Sequence, residues 1–316
     1  MDVYTPPRGQ RLRAAAGAFN SRCSGWVGNR IARWFGLWLP RHVTELEALI
    51  RPDRYPRSST YDPAWVVDLD MGPHPLWLLE DLSSDLDLHP GMRVLDLGSG
   101  RGATSVFLAR EFGVQVVAAD LWIPPDEATE VFTAANVADR VLAVRAEAHS
   151  LPFGAGSFDA VVSIDAFEYF GTSEYYLPNL TRLLVPGGQL GVATPALRTE
   201  AQELADIPAH VRACVGWEAL AWHTAEWWRR LWQATGLVTS VTCRLQEDGW
   251  EDWLLWQRAI VARESDAPSE GGNADPIVAM LQADRGVCLT FALLSARTPE
   301  RPRPPHFRRM RRQQGH

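Results

Sequence analysis

The sequence predicts an α/β fold in which helices cover both faces of a doubly wound, mostly parallel sheet. Two observations indicate this class. Between residues 89 and 193, short apolar strands alternate with segments of helical periodicity, which is the pattern of consecutive β–α–β units. The first of these strands is followed by the glycine-rich turn Gly98-Ser99-Gly100-Arg101-Gly102, of the kind that leads from a strand into a helix.

A helical region is expected ahead of the sheet. Apolar residues recur at helical spacing over residues 27–38 and again over 76–82, and the sequence His89-Pro90-Gly91 is a helix stop signal. Residues 1–88 are therefore predicted to form a helical N-terminal extension or cap.

Seven strands and five helices are predicted from residue 89 onward. The strands are Arg93–Leu97, Val114–Ala119, Val141–Ala146, Phe158–Ile164, Gln189–Ala193, Leu237–Leu245 and Val287–Ala296. The helices are Ala103–Phe112, Pro125–Ala138, Ser173–Leu184, Trp250–Ala262 and Pro276–Ala283. The main domain is thus expected over 89–297, with a Trp-rich helical lid insertion over 195–235. The Pro/Arg-rich segment 298–316 is predicted to be disordered.

Composition restricts the function classes. In 316 residues with a net charge of -7, no segment reaches the roughly 20 uncharged apolar residues of a membrane span, so stable membrane insertion is not expected. The four cysteines include no CxxC pair, which predicts a reduced, cytoplasmic protein without a cysteine zinc site, and no metal is expected. The two ends are rich in arginine, but the acidic middle of the chain argues against a nucleic-acid partner.

Asp96 decides between two ligand classes for the glycine-rich turn. The pattern Gly98-x-Gly100-x-x-Ala103 also satisfies the dinucleotide fingerprint, in which the turn binds a pyrophosphate. A carboxylate two residues before Gly98 would repel a pyrophosphate but attract the ammonium of an amino-acid-like ligand. S-adenosylmethionine carries an ammonium and a sulfonium and no phosphate, so the sequence favours this cofactor.

Further candidate cofactor contacts follow the second and third strands. Asp120 ends the second strand, where an acid can accept hydrogen bonds from ribose hydroxyls. Leu121 and Trp122 come next and are placed to cover the adenine face. After the third strand, Glu147 is a candidate acceptor for the adenine amino group, and the Ala148 amide a candidate donor to the ring.

In this order and spacing, these segments resemble the class I S-adenosylmethionine-dependent methyltransferases. The likeness is closest to bacterial small-molecule enzymes and covers roughly residues 55–297, including Leu151-Pro152-Phe153 and the strand ending at Asp165. It implies a Rossmann-like sheet of seven strands, one of them antiparallel. It also implies a cofactor site in which Asp96, Gly98, Ser99, Gly100 and Gly102 hold the methionine end, Asp120 the ribose and Glu147 with Ala148 the adenine, with Asp165 nearby.

Catalytic side chains are expected at the mouth of the fourth strand. Methyl transfer is an in-line displacement, for which the protein aligns the reactants and, for some acceptors, removes a proton. Glu168 and Tyr169 fit by position, and His149 lies in the preceding loop. Members of the family often have histidine where this chain has Glu168, so three roles stay open for this residue: base, contact to a cationic substrate, or polar spectator.

The acceptor is expected to be a small molecule of apolar or aromatic character. Eight of the 14 tryptophans lie between Trp217 and Trp256; most should be core, but Trp222, His223, Trp227 and Trp228 cluster in the predicted lid. Tyr61 and Met71 are candidates to close over the cofactor. Two other functions remain open: an NAD-dependent oxidoreductase and a non-catalytic protein that binds S-adenosylmethionine. Assembly as a homodimer also remains open.

Overall fold

The computed structural model describes residues 45–201, 203, 207–265 and 275–300. The helices predicted within residues 1–44 and the Arg-rich segment from 301 onward lie outside the described residues.

The strands form one sheet at the centre of the molecule. They are β1 (Arg93–Leu97), β2 (Gln115–Asp120), β3 (Val141–Arg145), β4 (Phe158–Ile164), β5 (Leu184–Leu197), β6 (Thr239–Gln246) and β7 (Leu289–Arg297). Their order in the sheet is β3-β2-β1-β4-β5-β7-β6. β1 to β5 pair in parallel, whereas β7 runs antiparallel to both of its neighbours. The predicted seven-stranded sheet with one antiparallel strand is confirmed.

In the described part of the chain, two helices precede β1, and the others lie in the connections between the strands. They are α1 (Pro63–Asp68), α2 (Pro75–Ser83), α3 (Ala103–Glu111), α4 (Pro125–Ala134), α5 (Leu177–Thr181), α6 (Ala209–Val215), α7 (Ala225–Thr235), α8 (Gly249–Ser265) and α9 (Pro276–Asp284). Short 3₁₀ turns span Ser58–Thr60, Ala148–Ser150, Phe167–Tyr169 and Gly216–Ala221. Proline in the first turn begins α1, α2, α4, α5 and α9, where its missing N–H has no helical partner to lose.

Two apolar clusters pack against the sheet. Leu76, Leu79 and Leu82 of α2 are fully buried in one cluster, and Trp228 and Trp232 of α7 are fully buried in the other. Burial of each large apolar side chain contributes about 1.5–3 kcal/mol. Although it precedes residue 89, α2 therefore belongs to the helical layer of the sheet.

Three segments differ from the sequence prediction. β5 is longer than predicted because every residue from Gln189 to Leu197 pairs with β7. The helix predicted over 173–184 is confined to α5, since β5 already begins at Leu184. In the predicted lid range 195–235, residues 195–197 belong to β5, and α7 packs on β6. Residues 198–224 therefore connect β5 to α7. Closure of that stretch over a ligand stays a prediction.

Candidate functional site

The glycine-rich turn between β1 and α3 lies at the carboxyl edge of the parallel strands. Gly98, Gly100 and Gly102 have φ values of +78°, +53° and +97°, a region that side chains disfavour. The turn is also crowded, because a Cβ on Gly98 would lie 2.4 Å from Cβ of Ala166. The amides of Gly98 and Ser99 donate to the carbonyl of Ala119 at 2.8 and 3.2 Å. The ends of β1, β2 and β4 therefore meet at this turn.

Asp120 at the end of β2 is bonded to the same turn. Its Oδ2 accepts a hydrogen bond from the Gly100 amide at 2.9 Å, and its Oδ1 accepts from the amides of Trp122 and Ile123. An ionised carboxylate has about four acceptor positions, so three amide bonds leave capacity for a further donor. The side chain is half-buried.

Asp96 is more deeply buried than its predicted place facing a ligand suggests. Its Oδ2 accepts hydrogen bonds from the hydroxyls of Thr104 and Ser105, both at 2.6 Å, which ties β1 to the first turn of α3. Its Oδ1 has no hydrogen-bond partner among the described residues. Burial raises the pKa of Asp96 to about 6, against the lowering effect of the two hydroxyls and with a smaller upward contribution from Asp120.

The segment after β3 carries the predicted adenine contacts. The Ala146 amide donates to the carbonyl of Asp120 at 2.9 Å, which places this segment beside the end of β2. Glu147 bonds to His149 through the backbone amide at 3.0 Å and ring Nδ1 at 2.7 Å. Burial acts to raise the pKa of Glu147, but these bonds and the charge of His149 lower it. The Ala148 carbonyl accepts from the hydroxyl of Tyr176 at 3.1 Å.

Aromatic side chains form the outer rim of this edge. Trp122 is 47% exposed and Tyr169 is 53% exposed, and the two rings meet edge to face with centroids 6.0 Å apart. Leu121 is exposed beside them. His149 is also exposed and meets Tyr176 edge to face. Tyr169 and His149, both predicted as catalytic, thus lie on the rim rather than in the interior.

Two carboxyl groups, of the half-buried Asp165 and the buried Glu168, lie beyond the end of β4. Asp165 has a positive φ of 51°, and Glu168 is 5% exposed and accepts from the hydroxyl of Thr194 at 2.8 Å. Burial raises the pKa of Glu168 to about 7, with a further upward contribution from Glu218. Burial also raises the pKa of Asp165 well above its usual value, and the charges of Glu168 and Asp70 add to this. Asp165 and Glu168 are therefore electrostatically coupled, and the pKa of each carboxyl group is raised.

The segment 70–72 connects the glycine-rich turn with this carboxyl pair. A Cβ on Gly100 would lie 3.2 Å from Cγ of Met71, and a Cβ on Gly72 would lie 2.1 Å from Oδ2 of Asp165. The Gly72 carbonyl accepts from Nε1 of Trp256 at 2.8 Å. Met71 thus lies at the site as the sequence suggested. The sequence did not predict that Gly72 packs against Asp165, since no motif surrounds Gly72 and its contacts are distant in sequence.

Tyr61 does not join the site, and its prediction as a cofactor cover is wrong. Its side chain is buried, its hydroxyl donates to Glu111 at 3.0 Å, and its ring packs against Trp65 and Phe107. The aromatic ring serves the core beside α3 instead.

Two kinds of feature are absent from the described residues. No group of three or more histidine, cysteine or acidic side chains in this part of the chain has the geometry to hold a metal ion. In the same residues, no helix combines the length and apolar character that crossing a bilayer requires.

Comparison with known proteins identifies the segment that carries this site. Residues 94–188 match a family described as a methyltransferase domain, and β7 lies antiparallel between β5 and β6. Residues 94–188 carry a methyltransferase domain. The match begins within β1 and includes the glycine-rich turn, Asp120 and the carboxyl pair after β4.

Several curated relatives of this methyltransferase domain are named methyltransferases. The chain is 30% identical over 129 residues to methyltransferase GfsG of Streptomyces halstedii, covering 40% of this chain and 46% of the relative. It is 29% identical over 157 residues to 27-O-demethylrifamycin SV methyltransferase of Amycolatopsis mediterranei, covering 47% and 58%. It is 40% identical over 101 residues to demethylmenaquinone methyltransferase of Thermus thermophilus, covering 32% and 46%. The chain thus spans about half the length of these relatives.

Solved structures share the fold of the methyltransferase domain at low sequence identity. A phosphoethanolamine N-methyltransferase 2 of Haemonchus contortus, in complex with S-adenosyl-L-methionine, superposes with a TM-score of 0.62 at 19% identity, covering 84% of this chain and 61% of that chain. A putative sarcosine dimethylglycine methyltransferase of Galdieria sulphuraria superposes with a TM-score of 0.59 at 17% identity, covering 78% and 91%. At this level of identity the similarity establishes the fold.

Proposed function

We propose that the chain is an S-adenosylmethionine-dependent methyltransferase that methylates an oxygen, nitrogen or carbon atom of a small molecule. The observation that carries the proposal is the arrangement at the carboxyl edge of the sheet. There the Gly98–Gly102 turn is bonded to Asp120, and one buried oxygen of Asp96 has no partner among the described residues.

The residues present fit this cofactor. The glycines leave the turn without Cβ atoms, so a ligand can approach the backbone closely. A cationic ligand near Asp96 stabilises its ionised form, whereas a pyrophosphate adds a repulsion to the cost of burial. In the proposed complex the turn and Asp96 hold the methionine end, Asp120 the ribose, and the Glu147–Ala148 segment with Leu121 and Trp122 the adenine. The bound cofactor supplies an activated methyl group on a sulfonium.

The acceptor is proposed to bind beside Glu168 and to have apolar or aromatic character. Glu218 on the 3₁₀ turn Gly216–Ala221 contributes to the raised pKa of Glu168. This contribution indicates that the turn lies within electrostatic range of Glu168. On the same turn Trp217 is 62% exposed and Leu220 is 50% exposed. These side chains and the exposed ring of Tyr169, which follows Glu168 in the chain, are apolar surface that favours an apolar partner.

Calorimetry with S-adenosylhomocysteine and with NAD tests the proposed cofactor. We expect binding of S-adenosylhomocysteine and none of NAD at the same concentration. Binding of NAD alone would instead support an oxidoreductase. Transfer from methyl-labelled cofactor to a panel of phenols, hydroquinones and amines then tests the activity; tight cofactor binding without transfer to any of them would favour a non-catalytic protein.

A further inference from the structure

His223 and Glu200 form a buried pair beyond the end of β5. Ring Nδ1 of His223 lies 2.9 Å from Oε2 of Glu200, and their side chains are only 9% and 13% exposed. The other oxygen of Glu200 accepts from both the amide and the hydroxyl of Thr224, each at 2.6 Å. Thr224 in turn caps α7 through a bond from the Trp227 amide. The carboxylate is therefore fixed by three donors.

This arrangement sets the tautomer and the plane of the His223 ring. Burial acts to raise the pKa of Glu200, but the bonds from His223 and Thr224 lower it, so the group is an ionised acceptor. In the neutral ring Nδ1 must then carry the proton, which leaves the lone pair on Nε2. Nε2 has no hydrogen-bond partner among the described residues. The ring stacks on Trp227 at 3.5 Å between centroids, with 5° between the planes.

The pair lies on the acceptor side of the site. Ala193 of β5 pairs with Ile164, the last residue of β4, so β5 extends beyond β4 from Thr194 to Leu197. Thr194 bonds to Glu168, and the Leu197 amide donates to the carbonyl of Trp222 at 3.0 Å. His223, the residue after Trp222, therefore lies at the end of β5, the strand whose Thr194 bonds to Glu168.

One indole stands between His223 and the turn that carries Glu168. The ring of Trp228 lies 5.9 Å from that of His223 and 5.5 Å from that of Phe167, measured between centroids. Its Nε1 is buried without an acceptor among the described residues. Buried indole N–H groups normally have an acceptor. Nε1 of Trp228 is thus, after Nε2 of His223, a second polar atom here without a hydrogen-bond partner among the described residues.

We propose that His223 accepts the proton of the acceptor's nucleophilic O–H or N–H group during methyl transfer, and that Glu200 is the residue that positions it. The inference rests on the proposed function. The acceptor atom forms a bond to the methyl carbon while its bond to hydrogen breaks; the proton passes to Nε2, and the electrons of the carbon–sulfur bond remain on sulfur. The imidazolium then releases its proton to solvent.

His223 is better suited to this role than Glu168. The carboxyl of Glu168 is buried, already accepts a bond from Thr194, and titrates together with Asp165. Proton uptake by Glu168 therefore depends on the charge of Asp165 and on the bond from Thr194. The Nε2 lone pair of His223 has no such competitor in the described part of the chain.

The variants His223→Gln and Glu200→Gln test the proposal, with His210→Gln as a matched control. His210 also bonds a carboxylate, with its Nε2 2.9 Å from Oδ1 of Asp284, but it lies on α6 against α9. Initial rates are measured from pH 6 to 9 with methyl-labelled cofactor on phenol, catechol, hydroquinone, aniline and sarcosine. On any of these that the wild type methylates, we expect His223→Gln to lower kcat about 100-fold or more and to remove the rise of kcat with pH.

The other variants and the binding data separate this role from a structural one. Glu200→Gln should lower kcat less than His223→Gln, and His210→Gln should leave it within twofold. The affinity for S-adenosylhomocysteine should be unchanged in all three. A His223→Gln enzyme within threefold of the wild type, or with an unchanged pH profile, would overturn the proposal.

Nitrogen-15 NMR of the histidine rings provides a test that needs no acceptor. In the wild type we expect His223 to be protonated at Nδ1, and saturating S-adenosylhomocysteine to shift its Nε2 resonance but not those of His210. A proton on Nε2 of neutral His223, or no shift while calorimetry shows binding, would overturn the role of His223 alone. Failure of S-adenosylhomocysteine to bind would instead overturn the proposed function, and this inference with it.

Discussion

The backbone amide of Gly100 donates a 2.9 Å hydrogen bond to Oδ2 of Asp120. This bond joins the turn after β1 to the end of β2, two strands that are neighbours in the sheet. The two oxygens of Asp120 together accept three amide bonds. The carboxylate therefore fixes the glycine-rich turn against the end of β2.

Replacement of Asp120 by alanine should weaken cofactor binding. The variant loses the proposed ribose acceptor and leaves the Gly100 amide without its partner, so we expect the Kd for S-adenosylhomocysteine to rise about tenfold or more, roughly 1.4 kcal/mol. Isothermal titration calorimetry measures this. Asp139→Ala is the control, because Asp139 is 78% exposed and its ion pair with Arg140 is long, at 3.8 Å; equal affinities in the two variants would contradict the site assignment.

Asp96 allows the effect of charge to be separated from that of packing. In Asp96→Asn the amide oxygen can still accept from Thr104 and Ser105, so we expect the fold to be retained while the affinity for S-adenosylhomocysteine falls about tenfold. In Asp96→Ala two buried hydroxyls lose their acceptor, which costs about 1–3 kcal/mol of unfolding free energy. Urea denaturation and calorimetry on both variants provide the comparison. An Asp96→Asn protein with wild-type affinity would show that the negative charge does not select the ligand.

The sequence predicted the sheet because parallel strands buried on both faces are apolar runs that sequence patterns reveal. β1 and β4 agree with their predicted bounds. The sequence also predicted the chemistry of the glycine-rich turn, since the turn and its acidic residues lie within a few residues of strand ends. It did not predict how deeply the acidic side chains are buried. Nothing local indicates that Asp96 is closed from solvent by Thr104 and Ser105, or that Glu168 reaches Thr194.

Contacts between distant segments explain the remaining differences. The meeting of Gly72 with Asp165 and the placement of His223 at the tip of β5 depend on how layers pack, and neither leaves a periodic signal. Within the Trp-rich stretch 195–235 that was predicted as a lid, Trp228 and Trp232 are fully buried in an apolar cluster against the sheet. Tryptophan count alone does not distinguish a core helix from a ligand cover.

The conformation of Gly98 should make it intolerant of a side chain. Gly98→Ala introduces a Cβ 2.4 Å from that of Ala166 at a φ of +78°. Gly156→Ala is the matched control, because its φ is +66° and a Cβ there meets nothing within 4 Å. The control should lose about 1–2 kcal/mol from backbone strain alone, whereas Gly98→Ala should lose more and also bind S-adenosylhomocysteine more weakly. Equal losses of stability would show that the turn adjusts freely around Ala166.

The buried Glu168 should make stability depend on pH. Burial raises its pKa from 4.5 to about 7, so between these values the folded state holds more protons than the unfolded state. The free energy of unfolding contributed by this group is therefore full below pH 4.5 and falls as pH rises through 7.

Glu168→Gln removes this dependence while keeping an acceptor for Thr194. At pH 8 we expect the variant to be more stable than the wild type, with a Tm higher by about 2–4 °C for each kcal/mol gained, and at pH 5 the difference should largely disappear. Differential scanning calorimetry at the two pH values measures both. A variant destabilised equally at pH 5 and pH 8 would mean that Glu168 is ionised in the folded protein across this range, and that its carboxylate stabilises the fold through the bond from Thr194.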